Sequence, residues 1–123
     1  MPEAPFLTIH LDHGVTIAEF GPRAKLIEEP ILDALTSELL AVATAANPPL
    51  LLLDMAQTTF FGSAFLETLF RVWKNLQSRP NAKMGLCNVY TYCREVLEIT
   101  HLDKIWPIYA TREEALAAMQ SAP

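Results

Sequence analysis

Residues 50–66 read Leu50-Leu51-Leu52-Leu53-Asp54-Met55-Ala56-Gln57-Thr58-Thr59-Phe60-Phe61-Gly62-Ser63-Ala64-Phe65-Leu66. Four consecutive leucines are apolar on both faces of an extended chain, which fits a central strand covered on each side. Asp54 closes that strand, at the end where open α/β sheets place functional groups. It is positioned either for such a role or to bond the nearby loop amides. The segment 56–62 reads as a short loop, and Ser63 stands where a helix N-cap belongs. Behind it, Leu66, Leu69, Phe70, Trp73 and Leu76 keep the spacing of one helical face. A strand leading through a short loop into an amphipathic helix is one unit of a parallel α/β sheet.

The flanking sequence repeats this grammar. Upstream, Leu7, Ile9 and Leu11 alternate with Thr8 and His10, the period of a half-buried strand. Asp12-His13-Gly14 is turn chemistry, and Val15 and Ile17 resume the alternation, so residues 6–20 predict a β-hairpin that Gly21-Pro22 ends. Pro30 suits the first turn of a helix. Ile31, Leu32, Leu35, Leu39 and Val42 supply its apolar face, with Asp33 and Glu38 outward, and Asn47-Pro48-Pro49 stops it. Downstream, Ser78-Arg79-Pro80-Asn81 breaks the second helix. Met84, Leu86 and Val89 read as a strand, and Cys93, Val96, Leu97 and Thr100 as the inner face of a third helix. Ile105 to Tyr109 reads as a last strand whose Pro107 marks an edge or an end. Thr111-Arg112-Glu113-Glu114 is a capping box, followed by Ala115, Leu116 and Met119 on the buried side of a closing helix. The order ββαβαβαβα predicts an α/β fold: a mixed, mostly parallel sheet of about five strands with about four helices, chiefly on one face.

Composition narrows the function classes. The 123 residues are 51% hydrophobic and 19% charged, which suits a single globular domain spanning 1–123. A formal charge of −5 argues against an electrostatic grip on nucleic acid. The basic residues Arg71, Lys74, Arg79 and Lys83 read as a solvated helix face. Met1-Pro2-Glu3-Ala4-Pro5 lacks the basic start of a secretory leader, and no apolar run approaches a membrane span. Cys87 and Cys93 lack disulfide-framework spacing, so free thiols and a cytoplasmic location are expected. His10, Asp12 and His13 lack a fourth ligand at metal spacing. With four glycines, the chain has no phosphate-cradling loop, and neither cysteine sits in a nucleophile motif. No catalytic residue, metal or cofactor is expected, and the chain reads as a protein that works by binding.

From Leu51 to Met119 the chain resembles the STAS domain, the family of anti-sigma factor antagonists and of sulfate-transporter cytoplasmic tails. Leu52-Leu53-Asp54 resembles its strand ending in aspartate. Phe60-Phe61-Gly62-Ser63-Ala64-Phe65-Leu66, followed by Arg71-Val72-Trp73-Lys74, is similar to the loop and helix that carry its Asp-Ser-Ser/Thr-Gly-Leu motif. Val96 to Leu102 resembles the end of its third helix. Ile105 to Tyr109 with Thr111 to Leu116 resembles its last strand and capped helix. The motif is degenerate here: Ser63 fills the first serine position and Ala64 the second, Gly62 stands where aspartate is usual, and Phe65 where glycine is usual.

The resemblance implies a binding switch that docks onto an anti-sigma factor or other kinase-fold regulatory protein and is turned off by serine phosphorylation, here at Ser63. A phosphate would add about −1.5 to −2 charges to the docking surface, at a helix N-terminus whose free N–H groups tolerate an anion. The surface so implied comprises Thr58, Thr59, Phe61, Gly62, Ser63, Ala64, Phe65 and Glu67, organised by Asp54. Phe60, Phe61 and Phe65 read either as an apolar docking knob or as core. Two other functions compete: a scaffold or homo-oligomerisation module independent of phosphate, and a sensor of a small hydrophobic ligand held beside those phenylalanines.

Overall fold

The computed structural model describes residues 5–120, so the reading of residues 1–4 as lacking a secretory leader lies outside it. The chain runs β1 (Leu7–Asp12), β2 (Val15–Phe20), β3 (Leu26–Ile27), α1 (Glu29–Ala45), β4 (Leu50–Asp54), β5 (Phe60–Phe61), α2 (Ala64–Gln77), β6 (Lys83–Cys87), α3 (Thr91–Ile99), β7 (Ile108–Tyr109) and α4 (Arg112–Gln120). Short 3-10 turns occupy Pro22–Ala24 and Leu102–Lys104. The main sheet has the order β1-β2-β4-β6-β7, and only the β1–β2 hairpin is antiparallel. The leucine run is therefore the middle strand.

Period-2 alternation divides that strand between two cores. Leu51 and Leu53 face the larger one with Leu35, Leu39, Phe65, Leu69, Val72 and Leu97 from α1, α2 and α3. Leu52 faces a smaller one with Val15, Ile17 and Cys87, closed by Ala115 and Met119 of α4. Three helices thus cover one face and α4 covers the other. Gly85 in β6 lets the Tyr109 ring pack closely on the strand, since a Cβ there would lie 3.1 Å from that ring. α1 and α2 are joined by a buried hydroxyl pair, Thr36 to Thr68, at 2.8 Å.

Several elements differ from the sequence reading. Segment 56–62 is not simply a loop: β5 pairs in parallel with β3, Leu26 opposite Phe60 and Ile27 opposite Phe61. Two-residue strands carry no periodicity to read. The last strand shrinks to Ile108–Tyr109 because Leu102–Lys104 turns as a 3-10 helix that presents Trp106 to the core. Ile9 and Leu11 are 48% and 71% exposed, although Leu7 is buried, so the apolar face of β1 is largely open to solvent. Glu38 does not point outward; its carboxylate accepts the N–H groups of Phe6 and Leu7 at 3.0 and 3.1 Å. The α2 stripe is offset: Phe65, Thr68, Leu69, Val72 and Leu76 are buried, while Phe70 is exposed. Arg79 is not part of a solvated face. Its guanidinium donates to the carbonyls of Ala43 and Ala46 and so caps the C-terminus of α1.

Leu53, fully buried at the sheet centre, sets a test of this layering. Leu53→Ala is expected to cost about 2–5 kcal/mol in a urea titration, whereas a cost under about 1 kcal/mol would place that strand at the rim.

Candidate functional site

The C-terminal end of the parallel strands is built around Asp54, only 3% exposed. Its Oδ1 accepts the Ala56 N–H at 3.2 Å and the Asn88 side-chain amide at 3.1 Å. Its Oδ2 accepts Arg112 Nε at 2.8 Å. Arg112 also meets Glu19 at 3.3 Å, and Glu19 accepts from His10 at 3.0 Å. Asn88 sits at φ 55°, a left-handed conformation that asparagine tolerates. One carboxylate therefore ties together the ends of β4 and β6, the loop start and the first turn of α4. Burial opposes the Arg112 charge, but the hydrogen bond and charge of Asp54, with Glu19, outweigh it and hold the guanidinium proton more tightly than usual.

The loop that leaves Asp54 is fixed from below. Met55 N–H donates to the Cys87 carbonyl at 3.1 Å, and the fully buried Thr58 hydroxyl donates to the Ala24 carbonyl at 2.8 Å. Thr59 and Gly62 N–H groups donate to the carbonyls of Lys25 and Ile27 at 2.9 and 3.0 Å. Phe61 and Phe65, 2% and 1% exposed, pack on each other with ring centroids 5.2 Å apart. Thr58, Phe61 and Phe65 therefore belong to the core and do not present a surface, which corrects their assignment as contact residues. Aromatic side chains at a strand end and a helix start are more favourably buried than left in water.

Ser63, Ala64 and Glu67 are exposed, and Thr59 and Gly62 are half-buried. Ser63 occupies the N-cap position of α2, but with φ −61° and ψ −27° it is already helical and its hydroxyl makes no capping bond. The first turn is closed instead by backbone, Phe65 N–H to the Gly62 carbonyl and Leu66 N–H to that of Ser63, both at 3.0 Å. Ser63 borders a cleft of about 290 Å³ also lined by Leu32, Glu28, Glu29, Phe60 and Ala64. Phe60, half-buried, stacks on Tyr92 of α3 with centroids 5.5 Å apart and planes 19° apart. Glu28, Glu29, Tyr92, Asn88 and Arg112 were not singled out as site residues from sequence. The capping box does place Arg112 in the first turn of α4, but no local signal names its partner 58 positions away.

His10 and His13 are engaged singly, with Glu19 and Asp12. Among the described residues, no three His, Cys, Asp or Glu side chains gather as a metal site, and no helix is long and apolar enough to cross a membrane. Cys87 and Cys93 are both buried free thiols.

The profile of the STAS domain family matches residues 21–115, which include β4, the loop, α2 and Arg112. The chain belongs to the STAS domain family. An anti-sigma-factor antagonist (STAS) domain protein of Planctomyces limnophilus has the same fold with a TM-score of 0.86 and 35% identity, covering 95% of this chain and 99% of that one. An anti-sigma factor antagonist of Mycobacterium paratuberculosis gives 0.80 and 26%, covering 94% and 93%. The Bordetella bronchiseptica protein BtrV, which carries the name of an anti-sigma factor antagonist, is 33% identical over 70 residues, 57% of this chain and 60% of that protein. The matched segment thus spans about three-fifths of BtrV. The expected STAS-like α/β fold holds, with five strands in the main sheet and four α-helices among the described residues.

Cys87 lies beside the Asp54 network, and burial followed by the Asp54 charge pushes its thiol up to about 12 from 9.0. A value raised in the folded state favours folding fully below the unfolded value and loses that contribution as pH rises toward the folded one. The destabilisation caused by Cys87→Ala is therefore expected to be smaller at pH 10 than at pH 7 by urea denaturation. An equal cost at both would mean that the native thiolate forms freely.

Proposed function

We propose that this STAS domain is an anti-sigma factor antagonist that acts by binding an anti-sigma factor or other kinase-fold regulatory protein, with phosphorylation of Ser63 opposing that contact. The observation that carries the reading is Ser63 itself. The residue is exposed at the start of α2, its hydroxyl takes no part in capping, and it sits on a helix that is closed without it. Modification there changes a surface and not a fold. Thr59, Gly62, Ser63, Ala64 and Glu67 form the exposed or half-exposed part of the docking surface, and Phe60 stacked on Tyr92 extends it. Asp54 holds the loop at its proper height through Ala56. Family members named as antagonists at 35% and 26% identity, similar over nearly the whole chain, support the same reading. No step in this function calls for a catalytic residue or cofactor.

A second reading has its own observation. Glu28 and Glu29 line the cleft that Ser63 borders, and Glu67 occupies the first turn of α2. A phosphate there meets like charge as well as the helix dipole, and this acidic surround favours a docking module that is never phosphorylated and prefers a basic partner surface.

Ser63→Asp and Ser63→Ala, measured against the regulatory protein co-purified from native cells, separate the two. The switch predicts at least a tenfold loss of affinity, about 1.4 kcal/mol, for the aspartate only, with melting temperatures of both variants close to wild type. Equal binding by wild type and Ser63→Asp, with no Ser63 phosphate in cells, would leave the constitutive module standing and remove the switch.

A further inference from the structure

The β1 edge carries an apolar strip that the docking surface does not use. Among the described residues, β1 is the outermost strand of the main sheet and pairs only with β2. Its two-residue turn, with His13 at φ 49° and Gly14 at φ 85°, makes Asp12 and Val15 the closing hydrogen-bonded pair. Even-numbered residues of β1 therefore direct their backbone groups toward β2, and odd-numbered ones direct theirs outward. The 2.8 Å bond from Gly21 N–H to the Phe6 carbonyl follows the same parity. At the outward positions, the N–H of Leu7 is already taken by Glu38. Ile9 and Leu11 remain, and their exposed side chains, with Ala41, Val42 and Ala45 of α1, line a groove of about 430 Å³. β1 contains neither the lysine nor the proline that commonly guards an edge.

We propose that this edge pairs with a second copy of the chain, β1 antiparallel to β1 about a two-fold axis at His10, joining two five-stranded sheets into one. The open side of the groove is a row of backbone donors and acceptors, which a strand satisfies and an acyl chain would leave buried and unpaired. A copy of β1 fits because the strand is complementary to itself in one register. With His10 opposite His10, Ile9 faces Leu11 of the second copy twice over, and these two pairs use the outward groups that Glu38 leaves open. On the other face, Thr8 meets Asp12 of the second copy, hydroxyl to carboxylate. Each His10 keeps its own Glu19 at 3.0 Å, so the axis does not bring two bare like charges together. Centring on Ile9 instead would require the occupied N–H of Leu7 and set Phe6 against the Asp12 carboxylate. Centring on Leu11 would oppose Ile9 to His13, whose φ of 49° is not extended. The groove and the Ser63 cleft share no residue, so the dimer leaves the docking surface open and does not depend on the function proposed for it.

Light scattering and native mass spectrometry of the full chain at high micromolar concentration are expected to give twice the monomer mass. Ile9→Lys and Leu11→Lys are expected to restore the monomer with an unchanged circular dichroism spectrum. Register is read separately under mild oxidation: His10→Cys, on the axis, cross-links two chains, while Thr8→Cys, opposite Asp12, does not. The buried native thiols do not compete with this reaction. A wild-type monomer, a dimer that survives Leu11→Lys, a failure of His10→Cys to cross-link, or a monomer carrying a lipid-mass adduct would each overturn the proposal.

Discussion

The Asp54 carboxylate is buried at the end of the central strand and accepts hydrogen bonds from Ala56, Asn88 and Arg112. An unpaired carboxylate there would be costly to remove from water, and three donors, one of them cationic, make its burial tolerable. In meeting that need the chain fixes the C-terminal end of its parallel strands. Ala56 fixes the exit of the loop, Asn88 fixes the start of the connection to α3, and Arg112 draws the first turn of α4 over the second face of the sheet. The network continues through Glu19 to the hairpin, so four separate segments share one polar knot.

The loop between Asp54 and α2 is held by a second device, the short parallel pair of β3 and β5. It brings the start of α1 beside the start of α2, and both helix N-termini, with the carboxylates of Glu28 and Glu29, then border one cleft. Phe61 and Phe65 anchor this arrangement from inside, while Thr58 pins it to the turn at Ala24. Their burial leaves a small surface that is acidic and partly aromatic. This surface is rigid because its backbone groups are paired and its apolar anchors are in the core.

Much of this was legible in residue order. The leucine run shows a strand covered on both faces, the capping box at Thr111 and Glu114 forms with Glu114 N–H on the threonine oxygen at 3.1 Å, and Pro30 opens α1 as its fixed φ favours. Other residues were misread for identifiable reasons. Ile9 and Leu11 alternate as a buried face should, but they lie on an edge strand that α1 only partly covers. Glu38 and Arg79 look like solvent-facing charges, yet each reaches back to backbone groups more than thirty residues away in sequence. Ser63 has an N-cap side chain but stands already in helical conformation, so its hydroxyl is released.

Local pattern by itself determined the alternation of strands and helices, the central place of Leu50–Leu53 and the capped closing helix. These follow from period, turn chemistry and capping, which act over a few neighbouring residues. Tertiary structure alone decided that Thr58, Phe61 and Phe65 are anchors and not contacts, that Glu28 and Glu29 share a cleft with Ser63, and that Arg112 answers Asp54. Those outcomes depend on which segments the sheet brings together. Burial and long-range charge pairing are properties of that assembled geometry, and no short stretch of sequence contains them.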